Sequence, residues 1–338
     1  MVRIKSSFLS AACAMGCLFV AASAQAGGKI TTFDPPGSLD TYAWTISDQG
    51  AITGFWYDPT TQTNDVFVRA ADGTIATFAH HNSQVTAAYG LNSKGIVAGY
   101  WSNLAGNFPG FTRTAKGKIK TFRVEGASNG TYPGSISAAG DIAGAWYDDV
   151  DVPHGFLRVA TGKITSFDVT GEVYGTFPTG GNASDVIAGR YGDGGGIWHG
   201  FVRATDGTIT PFDAPGDANG TFAQGINVAG TIAGYYGDAS GKNHGFVRSA
   251  GGTLTSFDPQ GSVYTVAQTI NDKGYIAGYY DDSSGVAHGF VRTADGTVTS
   301  FDVSGASGTY ANSINRKGDI AGWYTDSDGN YHGFVRSR

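Results

Sequence analysis

Five of the seven histidines in the chain stand in one setting, His-Gly-Phe, at His154, His199, His244, His288 and His332. The loop before each opens with an acid, and the same place recurs in every unit as Asp58, Asn103, Asp148, Asp193, Asp238, Asp282 and Asp326. An imidazole of this kind is the raw material of general acid–base or nucleophilic catalysis. Acidic, oxygen-rich loops such as Asp281-Asp282-Ser283-Ser284-Gly285 and Asp326-Ser327-Asp328-Gly329-Asn330 are the raw material of a calcium site.

Repetition weighs against catalysis. A nucleophile, a base and an orienting group must converge within hydrogen-bond reach, whereas copies spread through a regular repeat are held apart. No segment shows the helical periodicity that a strand-to-helix nucleophile elbow needs, although Gly126-Ala127-Ser128-Asn129-Gly130 has the letters Gly-x-Ser-x-Gly, and no His-Glu-x-x-His occurs. The repeated His is therefore expected to be structural, bonded to a neighbouring loop. The acidic loops lack the downstream bidentate Glu of an EF-hand, and Asp and Gly are what exposed turns require. Turn chemistry is preferred, with calcium the only cofactor the sequence admits. His80-His81 interrupts the pattern in the second unit, but neighbours on a strand face opposite ways and make a weak metal signal.

The elements that position these residues follow from the repeat. Ile/Leu/Val-Thr-x-Phe-Asp recurs at Ile30–Asp34, Ile164–Asp168, Ile209–Asp213, Leu254–Asp258 and Val298–Asp302, with degenerate copies at Ile75–Ala79 and Ile119–Arg123. Starts are 44 or 45 residues apart. Each unit adds Thr-Tyr/Phe-Ala/Pro-x-Ser/Gly-Ile-Asn (Thr221–Asn227), Asp-Ile-Ala-Gly-Trp-Tyr (Asp319–Tyr324) and His-Gly-Phe-Val-Arg (His332–Arg336). All four segments are short, rich in β-branched and aromatic residues, and bounded by turn formers, so they read as strands. Asp206-Gly207 and Asp295-Gly296 predict type I′ hairpins, with Arg203 opposite Thr210 and Phe201 opposite Phe212.

Four antiparallel strands per unit predict an all-β, seven-bladed propeller, preferred over a β-solenoid, whose coils are shorter and need caps. The strand at Ile30–Asp34 stands alone at the start, and His332–Arg336 has none after it. The first is expected to complete the last blade and remove the open edge. The repeat resembles the bacterial extracellular HAF repeat, named for His-Ala-Phe, over nearly all of residues 30–338. Gly225-Ile226-Asn227-Val228-Ala229-Gly230 matches its accompanying motif. Gly replaces Ala throughout, and the first two units have Asp65-Val66-Phe67 and Pro109-Gly110-Phe111 instead. The resemblance implies an exported repeat protein and no particular reaction.

Other repeated residues are read as packing. Gly54, Gly99, Gly144, Gly189, Gly234, Gly278 and Gly322 each precede by two positions an aromatic: Trp56, Trp101, Trp146, Tyr191, Tyr236, Tyr280 and Tyr324. The two share a strand face, so the missing side chain is expected to admit a ring from an adjacent sheet. The rival reading is a circle of sugar-stacking platforms. Arg69, Arg113, Arg158, Arg203, Arg248, Arg292 and Arg336 close each Gly-Phe-x-Arg and suit fixed acceptors between strands or blades.

Composition bounds the rest. Only 15% of the 338 residues are charged and 13% are aromatic, which excludes a coiled coil and a disordered chain. A net charge of −6 gives no nucleic-acid footprint. Arg3 and Lys5, an apolar run to Ala22 and Ala24-Gln25-Ala26 read as a secretory signal over residues 1–26. The run is too short to span a bilayer, and no later run is long enough. Cleavage would remove Cys13 and Cys17 and take the charge from −6 to −8, leaving a disulfide-free exported chain, 27–338, as one domain. A monomer is expected, in the periplasm or outside the cell. Binding is assigned to the side carrying the long, variable connections, with Tyr174, Trp198, Tyr331 and the loop aspartates named above, facing carbohydrate or a protein partner. A lyase or hydrolase working at the central opening, and a structural envelope component, are the alternatives.

Overall fold

The computed structural model describes residues 28–81, 83–103 and 106–338. The signal segment and its two cysteines lie outside them. The described chain contains 28 strands and no helix. In the fourth unit the strands are Glu172–Gly181, Ile187–Asp193, Trp198–Arg203 and Ile209–Phe212, here termed inner, second, third and outer. They pair antiparallel in that order. Four more sheets have the same four-strand form. The first two units share one eight-stranded sheet, joined only by a parallel bridge between Asn64 and Val85. The strand Ile30–Phe33 pairs antiparallel with Tyr331–Arg336, taking the outer place beside the chain's last three strands.

Alternation fixes what each strand buries. The Phe of the third strand is at most 1% exposed in every unit, from Phe67 to Phe334, and with the Ile or Val opening the second strand it forms the wedge between sheets. Sheets meet through a repeated contact. Phe167 of one outer strand lies edge-on to Phe201 of the next unit, centroids 6.2 Å apart, and the Arg203 guanidinium sits 4.8 Å from the same Phe167 ring. The same trio recurs with Phe33, Phe67 and Arg69 at 5.7 and 5.0 Å. Edge-on pairs contribute about 0.5–1.5 kcal/mol each beyond area burial. The repeated Arg therefore packs against the ring of the neighbouring sheet, and in Arg69, Arg203, Arg248 and Arg292 Nη1 donates to the next residue's carbonyl, as from Arg203 to Ala204.

Two expectations about local geometry are corrected. The Asp-Gly hairpins are three-residue loops, each a type I turn followed by a left-handed glycine, not type I′ turns. Gly207 N–H donates to the Ala204 carbonyl, Gly207 has φ +93°, and Asp206 keeps negative φ while its carboxylate accepts the Thr208 N–H. The extra loop residue shifts the ladder by one, so Arg203 faces Ile209 and Phe201 faces Pro211. Phe212 then faces Gly200 and its ring covers the bare Cα, 2.6 Å from where a Cβ would stand. This is why the residue between His and Phe is Gly.

The second-strand glycines are also explained differently. The space at Gly189 is filled from within its own sheet, by the Phe201 ring across the ladder and by the inner strand's Phe177 carbonyl. No ring of an adjacent sheet is required.

Candidate functional site

Every inner strand carries a bulge. The ladder skips one residue between Ala43 and Thr45, and likewise in all seven units, leaving Trp44, Tyr89, Gly134, Thr179, Gln224, Gln268 and Asn312 unpaired. At each bulge an inner-strand carbonyl closes on the second strand, and a Cβ at Gly54, Gly99, Gly144, Gly189, Gly234, Gly278 or Gly322 would collide with it. The invariant glycine thus permits the bulge, and a bulge re-aims a side chain.

The seven bulged residues line one cavity of about 390 Å³, onto which the inner strand of every unit converges. The rest of its wall is glycine, serine and threonine, the aliphatic Leu91, Ile136, Pro178, Ile226 and Ile270, and Arg190, and among the described residues no Asp, Glu, His or Cys contributes to it. Among the lining residues only Arg190 and Tyr89 can titrate. Burial first, and then Tyr100, push the Tyr89 phenol well above its ordinary value.

Arg190 breaks the repeat. Its second-strand place is held by Phe55, Tyr100, Ala145, Tyr235, Tyr279 and Trp323 in the other units. Its guanidinium lies 5.5 Å from Phe177, 5.7 Å from Trp198 and 5.7 Å from Phe222. No carboxylate or carbonyl among the described residues accepts a hydrogen bond from it, and burial lowers its pKa.

Adjacent units are fastened beside the cavity by asparagine. Asn227 Nδ2 donates to the Asn271 carbonyl at 3.2 Å, Asn271 to Asn315 at 2.8 Å, and Asn315 to Ser47 at 3.3 Å. The same side chains accept turn N–H groups, as Asn227 does from Thr231. The last contact links the end of the chain to its beginning.

The histidines sit on third strands and do not line the cavity. Each imidazole is held between two carboxylates: His199 Nδ1 is 2.8 Å from Asp213 and Nε2 3.4 Å from Asp193. His154, His244, His288 and His332 repeat this with Asp168 and Asp148, Asp258 and Asp238, Asp302 and Asp282, and Asp34 and Asp326. Each ring also lies against the second-strand aromatic, stacked as His199 is on Tyr191 at 5.0 Å or tilted as His332 is on Tyr324 at 5.1 Å. For His199 and His332, burial alone would lower the pKa, but the flanking carboxylates outweigh it and the net shift is upward. His154, Asp168 and Glu172 bring ligand-type atoms within 4.8 Å of one another, in reach of a common ion. His80 stacks on Trp101 at 3.6 Å while its Nδ1 contacts the His81 carbonyl.

The loop aspartates prove to be turn formers. Asp58, Asp148, Asp193, Asp238, Asp282 and Asp326 each accept N–H groups of their own turn through Oδ1. These backbone bonds, chiefly that from Asn330, hold Asp326 down at about 2. The structure does not bring these carboxylates together; each stays within its own unit. It does bring Trp198 to Arg190. Tyr331 stacks on Tyr42 at 4.9 Å, and Tyr174 stands 55% exposed beside Gly192. Sequence reading missed Arg190 and the bulged residues. The signal was present as the one variable position inside Thr-Tyr/Phe-Ala/Pro-x-Ser/Gly-Ile-Asn.

No protein-family model matches the chain, and no curated protein sequence does. Solved structures do. A streptogramin B lyase is 13% identical with a TM-score of 0.61, covering 92% of this chain and 98% of its own. Virginiamycin B lyase from Staphylococcus aureus is 14% identical at 0.60, covering 91% and 99%. The β-propeller domain of the Trilobed protease from Pyrococcus furiosus is 9% identical at 0.60, covering 87% and 95%. At such identities the likeness shows the β-propeller repeat fold and nothing of activity. No helix among the described residues is long and apolar enough to cross a membrane.

Proposed function

We propose that the chain is an exported, seven-bladed propeller of the HAF-repeat kind that binds a ligand rather than transforming one. The eight-stranded sheet is then two blades bridged at Asn64 and Val85, and Ile30–Phe33 closes the circle on the last blade. Supporting closure, the Ile46 N–H donates to Ser313 and the Asn312 amide to the Ala43 carbonyl, linking the first unit to the last.

The observation that carries the binding reading is the division between uniform and variable positions. The packing Phe, Gly and Arg repeat in every unit, whereas the bulged position, which differs from unit to unit, supplies part of the wall of a single cavity. A cavity of several hundred Å³ with a few convergent polar groups suits a small ligand or the end of a larger one. Its wall offers no carboxylate or imidazole for acid–base work, which favours binding over a lyase or hydrolase there. The long connections and Tyr174 would extend the contact at the rim. Carbohydrate fits the mixture of aromatic and amide groups better than an apolar metabolite.

A glycan array probed with the protein, with and without calcium, tests this. Specific binding that is lost when Gln224 and Gln268 become leucine supports it. Turnover of a polysaccharide or ester panel without stable binding overturns it.

A further inference from the structure

The ligand's chemistry can be read from one departure in the cavity wall. Arg190 is the sole cation lining it, in a chain with an acidic excess, 28 Asp and Glu against 22 Lys and Arg. Six other units place an aromatic or Ala at this position, so packing alone does not call for charge. Three ring faces lie within 5.7 Å of the Arg190 guanidinium carbon, and no described carboxylate or carbonyl accepts its N–H donors. Arg190 is partly buried and lines the cavity, so its donors face a solvent-filled space that a ligand's acceptors can enter.

We propose that the cavity takes the singly charged acidic group of a sugar, a carboxylate or a sulfate ester, with Arg190 as its counter-ion. This rests on the binding reading above and names its ligand class. A single positive charge with no second cation and otherwise neutral donors balances a monoanion rather than a phosphate dianion. The fork of Arg190 matches two coplanar oxygens. Thr179, Gln224 and Gln268 offer hydroxyl and amide groups to sugar hydroxyls, and Trp44 and Tyr89 offer ring faces to the apolar side of a pyranose. The cavity, at about 390 Å³, admits one or two sugar rings and opens toward a longer chain.

Calorimetric titration separates the possibilities, using trigalacturonate, a sulfated galactose oligomer and neutral galactotriose as probes. One acidic probe should bind at least tenfold more tightly than the neutral one. Arg190→Gln should weaken that probe about 10- to 100-fold, the range for losing a charge-assisted hydrogen bond, and weaken the neutral one far less. Arg190→Lys should fall between, keeping charge without the fork. Because Arg190 is packed among rings, each variant is also melted. Should Arg190→Gln fail to fold, Gln268→Leu must still weaken the acidic probe several-fold. Equal affinity for acidic and neutral probes, or an acidic affinity indifferent to Arg190→Gln, overturns this inference and leaves the binding reading standing. No binding of any probe overturns the inference, and silence on the full array then removes the binding reading as well.

Discussion

Closure of the circle can be tested with an internal control, because the repeat supplies one. Phe33 lies 5.7 Å from Phe67, under Arg69 at 5.0 Å, and covers Gly333. Phe257, deep in the chain, lies 5.9 Å from Phe290, under Arg292 at 4.9 Å, and covers Gly245. Both rings are half-buried. Truncating either to Ala forfeits roughly half of a Phe burial, about 1–1.5 kcal/mol. It also removes an edge-on pair of about 1 kcal/mol and a cation–π contact of about 1 kcal/mol. The total is about 3 kcal/mol for each, or some 6 °C of melting temperature at the roughly 2 °C per kcal/mol of a large domain. Thermal melts of Phe33→Ala and Phe257→Ala by circular dichroism should therefore fall together. If Phe33→Ala melts like the parent while Phe257→Ala drops, the first strand is not integral, and the reasoning that closes the ring fails. Deleting residues 27–34 should lower the melting temperature further, since it also removes the backbone ladder to Tyr331–Arg336 and the Asp34 partner of His332.

The aspartate-flanked histidines set a pH dependence. His199 and His332 have folded-state pKa values above 6.5, so their stabilisation is complete below pH 6.5 and is lost as pH rises through the raised values. Melting temperature should decline from pH 6 to 9, and the decline should shrink in a His199→Gln, His332→Gln double variant. Asp326, lowered to about 2, stabilises above pH 3.8 and loses this only as pH falls toward 2, so melting should hold down to about pH 4. Gly200→Ala should cost about 1–3 kcal/mol by overpacking against the Phe212 ring, read as a lower midpoint in urea. Chelator should leave the melting temperature within about 1 °C, because the loop carboxylates already accept turn N–H groups; a larger drop would restore calcium to the account.

Much of the fold was legible because strand periodicity and a 44- or 45-residue spacing survive in sequence without any knowledge of contacts. The turns were less so. Asp-Gly satisfies both a two-residue type I′ loop and a three-residue loop ending in a left-handed glycine, and only the ladder shows that Arg203 faces Ile209. That ambiguity of one residue moved Phe212 from Phe201 to Gly200. The His was expected to bond a loop, but not to be flanked by two acids, since Asp193 and Asp213 lie on either side of it in sequence and on different connections. Asn227 read as a turn residue, and its bridge to the next unit was invisible because the partner is a backbone carbonyl.

The site itself was obscured for a reason general to repeats. Attention goes to what recurs, and what recurs here is packing: Phe against Gly, Arg on Phe, His between acids. In an array of like units each recurring side chain meets its own neighbours, and here the residues that meet one another across units are those lining the shared cavity. The bulge turns one residue per unit toward that cavity, and the second-strand glycine makes room for the bulge. A ligand would therefore be met by Gln224, Gln268, Thr179 and their counterparts, which can differ between units without disturbing the Phe, Gly and Arg that pack the sheets. Arg190 is the place where a second-strand position facing the cavity carries a charge, in the fourth unit rather than in the irregular second. An alteration that introduces a partly desolvated charge among aromatic rings costs stability unless it is offset, and binding an anion is an offset that packing cannot supply.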